Sequence, residues 1–259
     1  MTEEAKRELG AFVDLVVELV RRELKVRYRR SAFGFLWTML QPLMMMLVLH
    51  IAFSTVFRFD VKNYPVYVLS GVLFWNFFQQ SIVTSMNSLR GNAGLIEKVP
   101  VPIVVFPLAV VLSGVVNLVL ALVPLAGLLL VTGHGVTPAL LFVPVAILLA
   151  ALFTLGAGLL LAPLAVFFYD VIEMVGVALA ALFYLTPIVY PMTILPERWR
   201  WVVRFNPVRS ILEVFRDPIF FGKIPPLSHI SVAVLVAVVA LGAGWLAFRW
   251  GRDRIAFYV

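Results

Sequence analysis

Six long apolar runs, each free of Asp, Glu, Lys and Arg, divide the chain. They cover about Ala32–Phe57, Val66–Leu89, Ile103–Val131, Pro138–Phe168, Met174–Pro191 and Ile230–Phe248. A helix of about 20 apolar residues crosses roughly 30 Å of hydrocarbon, so each run has the reach of a membrane span. Apolar residues occupy all sides of the runs. Barrel strands would alternate apolar and polar positions, so helices are predicted, each satisfying its own backbone in lipid. The breaks are polar: Arg58 to Asn63, Arg90 to Pro102, Gly133-His134-Gly135, Tyr169-Asp170 and a long Met192–Ser228 segment.

The first 31 residues follow a different period. Leu9, Phe12, Val13, Val16, Val20 and Leu24 recur at helical spacing, with Asp14, Glu18, Arg21, Arg22 and Lys25 opposite. This predicts an amphipathic helix over 1–31, lying in the cytoplasmic interface of the membrane or packed on another protein. Mixed charges and the lack of a short apolar core with a cleavage site argue against a cleavable signal peptide. Arg21, Arg22, Lys25, Arg27, Arg29 and Arg30 all precede the first span, which predicts a cytoplasmic N-terminus. Six spans return the C-terminus, with Arg249, Arg252 and Arg254, to the same side. Thirteen of the 21 basic residues then lie inside and eight outside. Trp199, Trp201, Trp245 and Trp250 fall near span ends, where amphipathic rings favour the headgroup level.

Composition agrees and narrows the function. The chain of 259 residues is 62% hydrophobic and 14% charged, too apolar for one soluble core of this size. Zero cysteines exclude disulfides and thiolate metal centres, and no metal site is predicted. All 21 basic and 14 acidic residues lie outside the six runs. Ion-coupled carriers place an acid or base within the bilayer; here only His50 does so, and a lone histidine serves helix packing or a proton relay. The only Gly-Lys pair, Gly222-Lys223, is followed by Ile224, so no phosphate-binding P-loop is present. Uphill transport would therefore draw energy from a partner. The net charge of +7 reflects membrane anchoring, with no nucleic-acid partner expected.

Polar positions inside the runs carry the candidate chemistry. Asn76, Gln79, Gln80, Thr84 and Asn87 share one face of the second span. Interhelical hydrogen bonding and the lining of a polar conduit both use such a face. The first span has a weaker face of Gly34, Trp37, Thr38, Gln41 and Met45, with Pro42 predicting a kink. Between spans five and six, two short amphipathic helices are predicted, Glu197–Phe205 and Val208–Asp217, hinged at Asn206-Pro207. In the second, Ile211, Leu212 and Phe215 are placed on the apolar side and Arg209, Glu213 and Arg216 on the polar side. Arg198, Arg200 and Arg204, near the outer face, would meet lipid phosphates or only lipid headgroups generally. The turn Gly91–Pro100 predicts one or two helical turns capped by Asn92, with Leu95 and Ile96 exposed for docking.

The ordered motifs resemble the transmembrane permease of ABC-2 type polysaccharide exporters, which move O-antigen, teichoic acid and capsule chains. The resemblance spans nearly the whole chain. It is carried by Leu24-Lys-Val-Arg-Tyr-Arg-Arg-Ser-Ala-Phe-Gly-Phe-Leu-Trp37 leading to Gln41-Pro42, by Tyr67–Phe78, and by Leu95-Ile-Glu-Lys-Val-Pro100. Ala165-Val-Phe-Phe-Tyr-Asp170, Thr186-Pro-Ile-Val-Tyr-Pro191, and Phe205-Asn206-Pro207 followed by Arg216 complete it. Ala165 and Tyr169 stand where the family pattern has Asn and Arg, and Thr186 where Ser is common.

The resemblance implies an all-α integral membrane fold: six transmembrane helices, the interface helix, and re-entrant outer gate helices at about 195–221. One permease domain would cover 32–259. It implies a homodimer with a conduit between the copies, served by two copies of an ABC ATPase subunit. ATP and Mg would bind that partner and no cofactor this chain, which would itself be no enzyme. Trp37, Gln41, Asn76, Phe77 and Gln80 would line the path of a lipid-linked glycan, since aromatic faces stack on sugars and amides bond their hydroxyls. Trp199, Trp201, Phe205, Asn206, Pro207 and Arg216 would form the outer gate. Asn92, Leu95, Ile96, Glu97 and Lys98, with Asp170 and Glu173, would couple to the ATPase. The location implied is the cytoplasmic (inner) membrane of a bacterium. An ABC-2 permease for drugs or small lipids would share the spans without a wide aromatic path. An integral membrane transferase would need clustered acids beyond the Asp170/Glu173 pair.

Overall fold

The structure, a computed structural model, describes residues 3–29, 33–55, 61–99 and 101–258. The described residues are mostly helical, with no strand among them. Ten α-helices follow in order: α1 (Glu3–Tyr28), α2 (Trp37–Thr55), α3 (Tyr64–Gly91), α4 (Ala93–Ile96) and α5 (Val105–Val131). They continue with α6 (Val143–Phe167), α7 (Asp170–Leu185), α8 (Glu197–Arg204), α9 (Pro207–Arg216) and α10 (Leu227–Tyr258). Stretches of α2, α3, α5, α6 and α10 are long and apolar enough to cross a membrane.

Of the predicted first span, positions 32 and 56–57 lie outside the described residues, as do Arg30 and Pro100. The second and third runs match α3 and α5 within two residues at each end. The fourth opens with a tight 3₁₀ turn over Pro138–Phe142 before α6. The sixth is longer than its apolar run, because α10 continues through Arg249, Arg252 and Arg254 to Tyr258. The fifth differs most. α7 has 16 residues, about 24 Å at 1.5 Å per residue, and stops before Pro187, which disfavours helical conformation at Thr186. The chain then runs irregularly from Thr186 to Pro191.

α3 is the central helix, with Val66, Leu69, Phe74, Ile82 and Met86 fully covered. Aromatic rings fill the space around it: Phe74 and Phe78 stack, Phe78 stacks on Phe153, and Trp75 meets the edge of Phe183. α2, α7 and α10 are largely uncovered, with Met44, Val48, Val177 and Leu235 exposed. α6 and α10 approach until their backbones touch. A methyl group built on Gly156 would overlap the Ala240 carbonyl carbon, and one on Gly244 the Gly156 carbonyl oxygen. Small residues at such a crossing permit the close contact that holds helices together in lipid.

α1 packs on the opposite end of the bundle from α8 and α9. Val16 and Leu19 are buried in a cluster with Leu89, Val105, Phe106 and Phe248. At the α8–α9 end, His134 ties three connections together. Asn63 Nδ2 donates to His134 Nδ1 at 2.7 Å, and His134 Nε2 donates to the Phe220 carbonyl.

Candidate functional site

Three helices and the end of α1 converge on a polar cavity within the bundle. Asn76, Phe77, Gln80 and Ser81 of α3 meet Thr38, Gln41 and Pro42 of α2 and Asn117 of α5, with Arg27 closing one end. The space is about 60 Å³. It adjoins a wider cleft of about 390 Å³ lined by Gln41, Asn76, Gln79, Gln80, Val83 and Thr84. Asn76 lies about 18 Å along α3 from Tyr64, near mid-bundle. Gly114 lets α5 close on α3 here, since a β-carbon on it would stand 2.5 Å from Ser81 Oγ.

The structure thus brings Gln41, Asn76, Phe77 and Gln80 to one space and leaves Trp37 out of it. Trp37 is 47% exposed at the start of α2 and stacks on Phe33, centroids 5.9 Å apart. Arg27 and Asn117, outside the predicted set, add to the lining. Arg27 Nη1 donates to Gln80 Oε1 at 3.0 Å, and the Tyr28 hydroxyl donates to Asn117 Oδ1. The basic run before the first apolar stretch reads as an anchor, which hides that Arg27 and Tyr28 turn into the bundle. α2 continues as helix through Pro42, and Thr38 donates to the Phe35 carbonyl at 2.5 Å.

The α8–α9 region is built around the irregular segment after α7. Backbone carbonyls without helical partners are costly in an apolar surround, and side chains satisfy them here. Tyr64 donates to the Val189 carbonyl at 2.6 Å, and Tyr67 to those of Tyr190 and Pro187 at 2.9 and 3.1 Å. Arg216 donates to the Pro187 carbonyl at 2.6 Å and the Ile188 carbonyl at 2.8 Å. Asn206 Nδ2 reaches the Leu185 carbonyl at 3.2 Å and Thr186 Oγ1 at 2.8 Å, while its Oδ1 accepts from the Val208 amide at 3.0 Å and caps α9.

Arg216 was expected on the polar side of α9 but is only 4% exposed. The carbonyls it serves lie in the core, and burial lowers its pKa against the pull of nearby anionic groups. Arg209 keeps to the rim, paired with Glu213 at 2.6 Å. Burial, with Glu213 close by, pushes the Asp217 carboxyl up, and His229 at 3.8 Å opposes the shift. Trp199, Trp201, Phe205 and Pro207 are exposed, Phe205 by 82%.

At the α1 end, Asn92 does not cap α4 with its side chain. Its Nδ2 reaches back to the Ser88 carbonyl at 2.7 Å and its Oδ1 accepts from Arg22 at 2.8 Å, which ties α1 to α3. Leu95 and Ile96, predicted to be exposed, are half-buried against the cluster beneath α1. Glu97 and Lys98 are exposed, as are Asp170 and Glu173 at the start of α7. Arg90 links the two turns, donating to the Val166 carbonyl at 2.9 Å with its guanidinium 5.1 Å from the Tyr169 ring centroid.

The profile of the ABC-2 type transporter family matches residues 14–220, the stretch that holds the cavity, the carbonyl clasp and both turns. The chain belongs to the ABC-2 type transporter family. Like its relatives, this ABC-2 protein is a multi-pass membrane protein. It is 33% identical over 252 residues to an O-antigen export system permease protein of Myxococcus xanthus, covering 96% of this chain and 97% of that protein. It is 29% identical over 259 residues to the O-antigen export system permease protein of Klebsiella pneumoniae, covering 99% of each. A polysialic acid transport protein of Escherichia coli aligns at 23% identity over 244 residues, 93% of this ABC-2 chain and 94% of that one.

Proposed function

We propose that this chain is the membrane subunit of an ATP-driven exporter that moves lipid-linked polysaccharide, of O-antigen or capsule type, across a bacterial cytoplasmic membrane. The observation that carries the reading is end-to-end similarity to permeases named for such export. The amide-lined cavity and cleft fit it, because Gln41, Asn76, Gln79 and Gln80 offer donors and acceptors that replace water around sugar hydroxyls.

On this reading α7 and the Thr186–Pro191 segment together make a sixth crossing, so both termini are cytoplasmic. α1 lies along the inner interface, and α8 and α9 form a re-entrant gate at the outer face. A second copy packed against the uncovered faces of α2 and α7 would wall the cleft into a conduit. Two copies of an ABC ATPase, carrying ATP and Mg, would dock at Glu97, Lys98, Asp170 and Glu173. This chain then serves as the passage, and the hydrolytic chemistry belongs to its partner.

The test is the ATPase rate of the purified complex in lipid vesicles. Stimulation by lipid-linked glycan, with none by small amphiphiles, is the expected result. The reverse pattern would identify a drug or small-lipid permease and overturn the proposal.

A further inference from the structure

The groove between the residues leading into α5 and the second half of α10 takes no part in the passage just described. It holds about 430 Å³ and is lined by Pro102, Ile103 and Val104 on one side and Trp245, Phe248, Arg249 and Arg252 on the other. Trp245, Arg249 and Arg252 follow one another at i, i+4 and i+7, a single stripe of the helix. Phe248 is buried beneath them and forms an apolar floor. Both arginines are exposed, and among the residues whose side chains are described no carboxylate pairs with either.

The depth of these groups along α10 identifies what they meet. Counted from Leu227, Trp245 lies about 27 Å along the helix, Arg249 about 33 Å and Arg252 about 38 Å. In a bilayer with roughly 30 Å of hydrocarbon, that puts the indole at the acyl boundary and the guanidiniums at phosphate level. Apolar walls below and two guanidiniums above match the two halves of one lipid molecule. Guanidinium groups bind phosphate oxygens through paired N–H donors, and basic pockets between helices on this face suit anionic head groups.

We propose that this groove is a binding site for an anionic phospholipid, whose phosphate is held by Arg249 and Arg252 and whose upper acyl chains lie on Ile103, Val104 and Trp245. The site is separate from the glycan path and stands whichever polymer the exporter carries. A second groove on the far side of α10, lined by Leu160, Pro163, Phe167, Trp250 and Arg254, has one arginine and serves as its internal control.

The experiment uses the permease with its ATPase in phosphatidylcholine vesicles containing spin-labelled phosphatidylglycerol or spin-labelled phosphatidylcholine. The fraction of each label immobilised on the protein is read by electron spin resonance. Preference for phosphatidylglycerol is expected, and the double variant R249Q/R252Q should lower it about five-fold or more. R254Q should leave most of it, and R249K/R252K should retain part, which separates lost charge from lost folding. Equal immobilisation of the two labels by the unaltered protein would overturn the proposal; a protein partner filling the groove would give that result. An equal loss in R254Q and R249Q/R252Q would overturn it too, since the basic end as a whole would then be responsible.

Discussion

The Arg216 guanidinium lies over the Tyr67 ring, 4.0 Å from its centroid, while its two terminal nitrogens donate to the carbonyls of Pro187 and Ile188. Tyr67 itself donates to the carbonyls of Pro187 and Tyr190. One residue of α3 and one of α9 therefore close on the same unwound strand of backbone. Replacing Arg216 by Met would leave the buried Ile188 carbonyl without its side-chain donor, at roughly 1–3 kcal/mol, and the Pro187 carbonyl with Tyr67 alone. Arg216→Lys should rescue little, because an ammonium is a point donor and the two carbonyls call for a fork. Thermal unfolding in detergent is expected to drop by several degrees in both variants. Unchanged melting of Arg216→Met would show that the clasp holds nothing.

Gly71 lies under that clasp. A β-carbon there would overlap Arg216 Nη2 and stand 2.9 Å from the Ile188 carbonyl oxygen. Gly71→Ala should therefore destabilise as much as loss of the arginine. Gly176→Ala, on α7 with nothing within 4 Å, should be neutral or gain up to about 1 kcal/mol from helix propensity. Similar melting shifts of the same sign in the two variants would contradict the packing described.

The α6–α10 crossing offers a second steric test. Gly244→Val would force its side chain into the Gly156 carbonyl and separate the two helices. Reduced membrane accumulation and earlier unfolding are expected, whereas Gly242→Val, which meets open space, should accumulate normally apart from a small propensity cost.

The polar cleft is expected to hold water. The sequence has no cysteine, so single cysteines can be introduced without background. Gln79→Cys and Thr84→Cys, on the cleft, should react with a small charged thiol reagent in the assembled exporter. Leu148→Cys, exposed on α6 at membrane depth, should stay unlabelled in lipid. Equal labelling of all three sites would remove the distinction between cleft and lipid face.

Asn76→Leu fills part of the cavity with apolar surface and removes a donor and an acceptor from it. Polymer export should fall several-fold while the melting temperature holds. Export at the normal rate would take Asn76 out of the path.

Much of the architecture was legible because lipid imposes a coarse rule: about 20 uncharged residues per crossing. That rule located α2, α3, α5, α6 and α10, and the proline after Asn206 located the break between α8 and α9. It misjudged the end of α7, since Thr186–Pro191 is apolar enough to count as span yet is held by side chains 120 residues or so away in sequence. The inward turn of Arg216 escaped for the same reason. Amphipathic periodicity reports average polarity on a helix face, and it cannot register acceptors supplied by another part of the chain. Arg27 reads as an anchor because charge near a span has that meaning on average, and nothing local marks Tyr28, since their partners Gln80 and Asn117 lie on other helices.

Because the carbonyls of Leu185 and of Pro187 to Tyr190 are divided among Tyr64, Tyr67, Asn206 and Arg216, α3, α7 and α9 share a single joint. Sliding any one of them alone would break bonds belonging to the other two, in a surround with no water to replace them. The mechanical unit at this end is the three-helix block. Widening a passage beside it is therefore cheaper as a shift of the whole block against a neighbouring body than as bending within it.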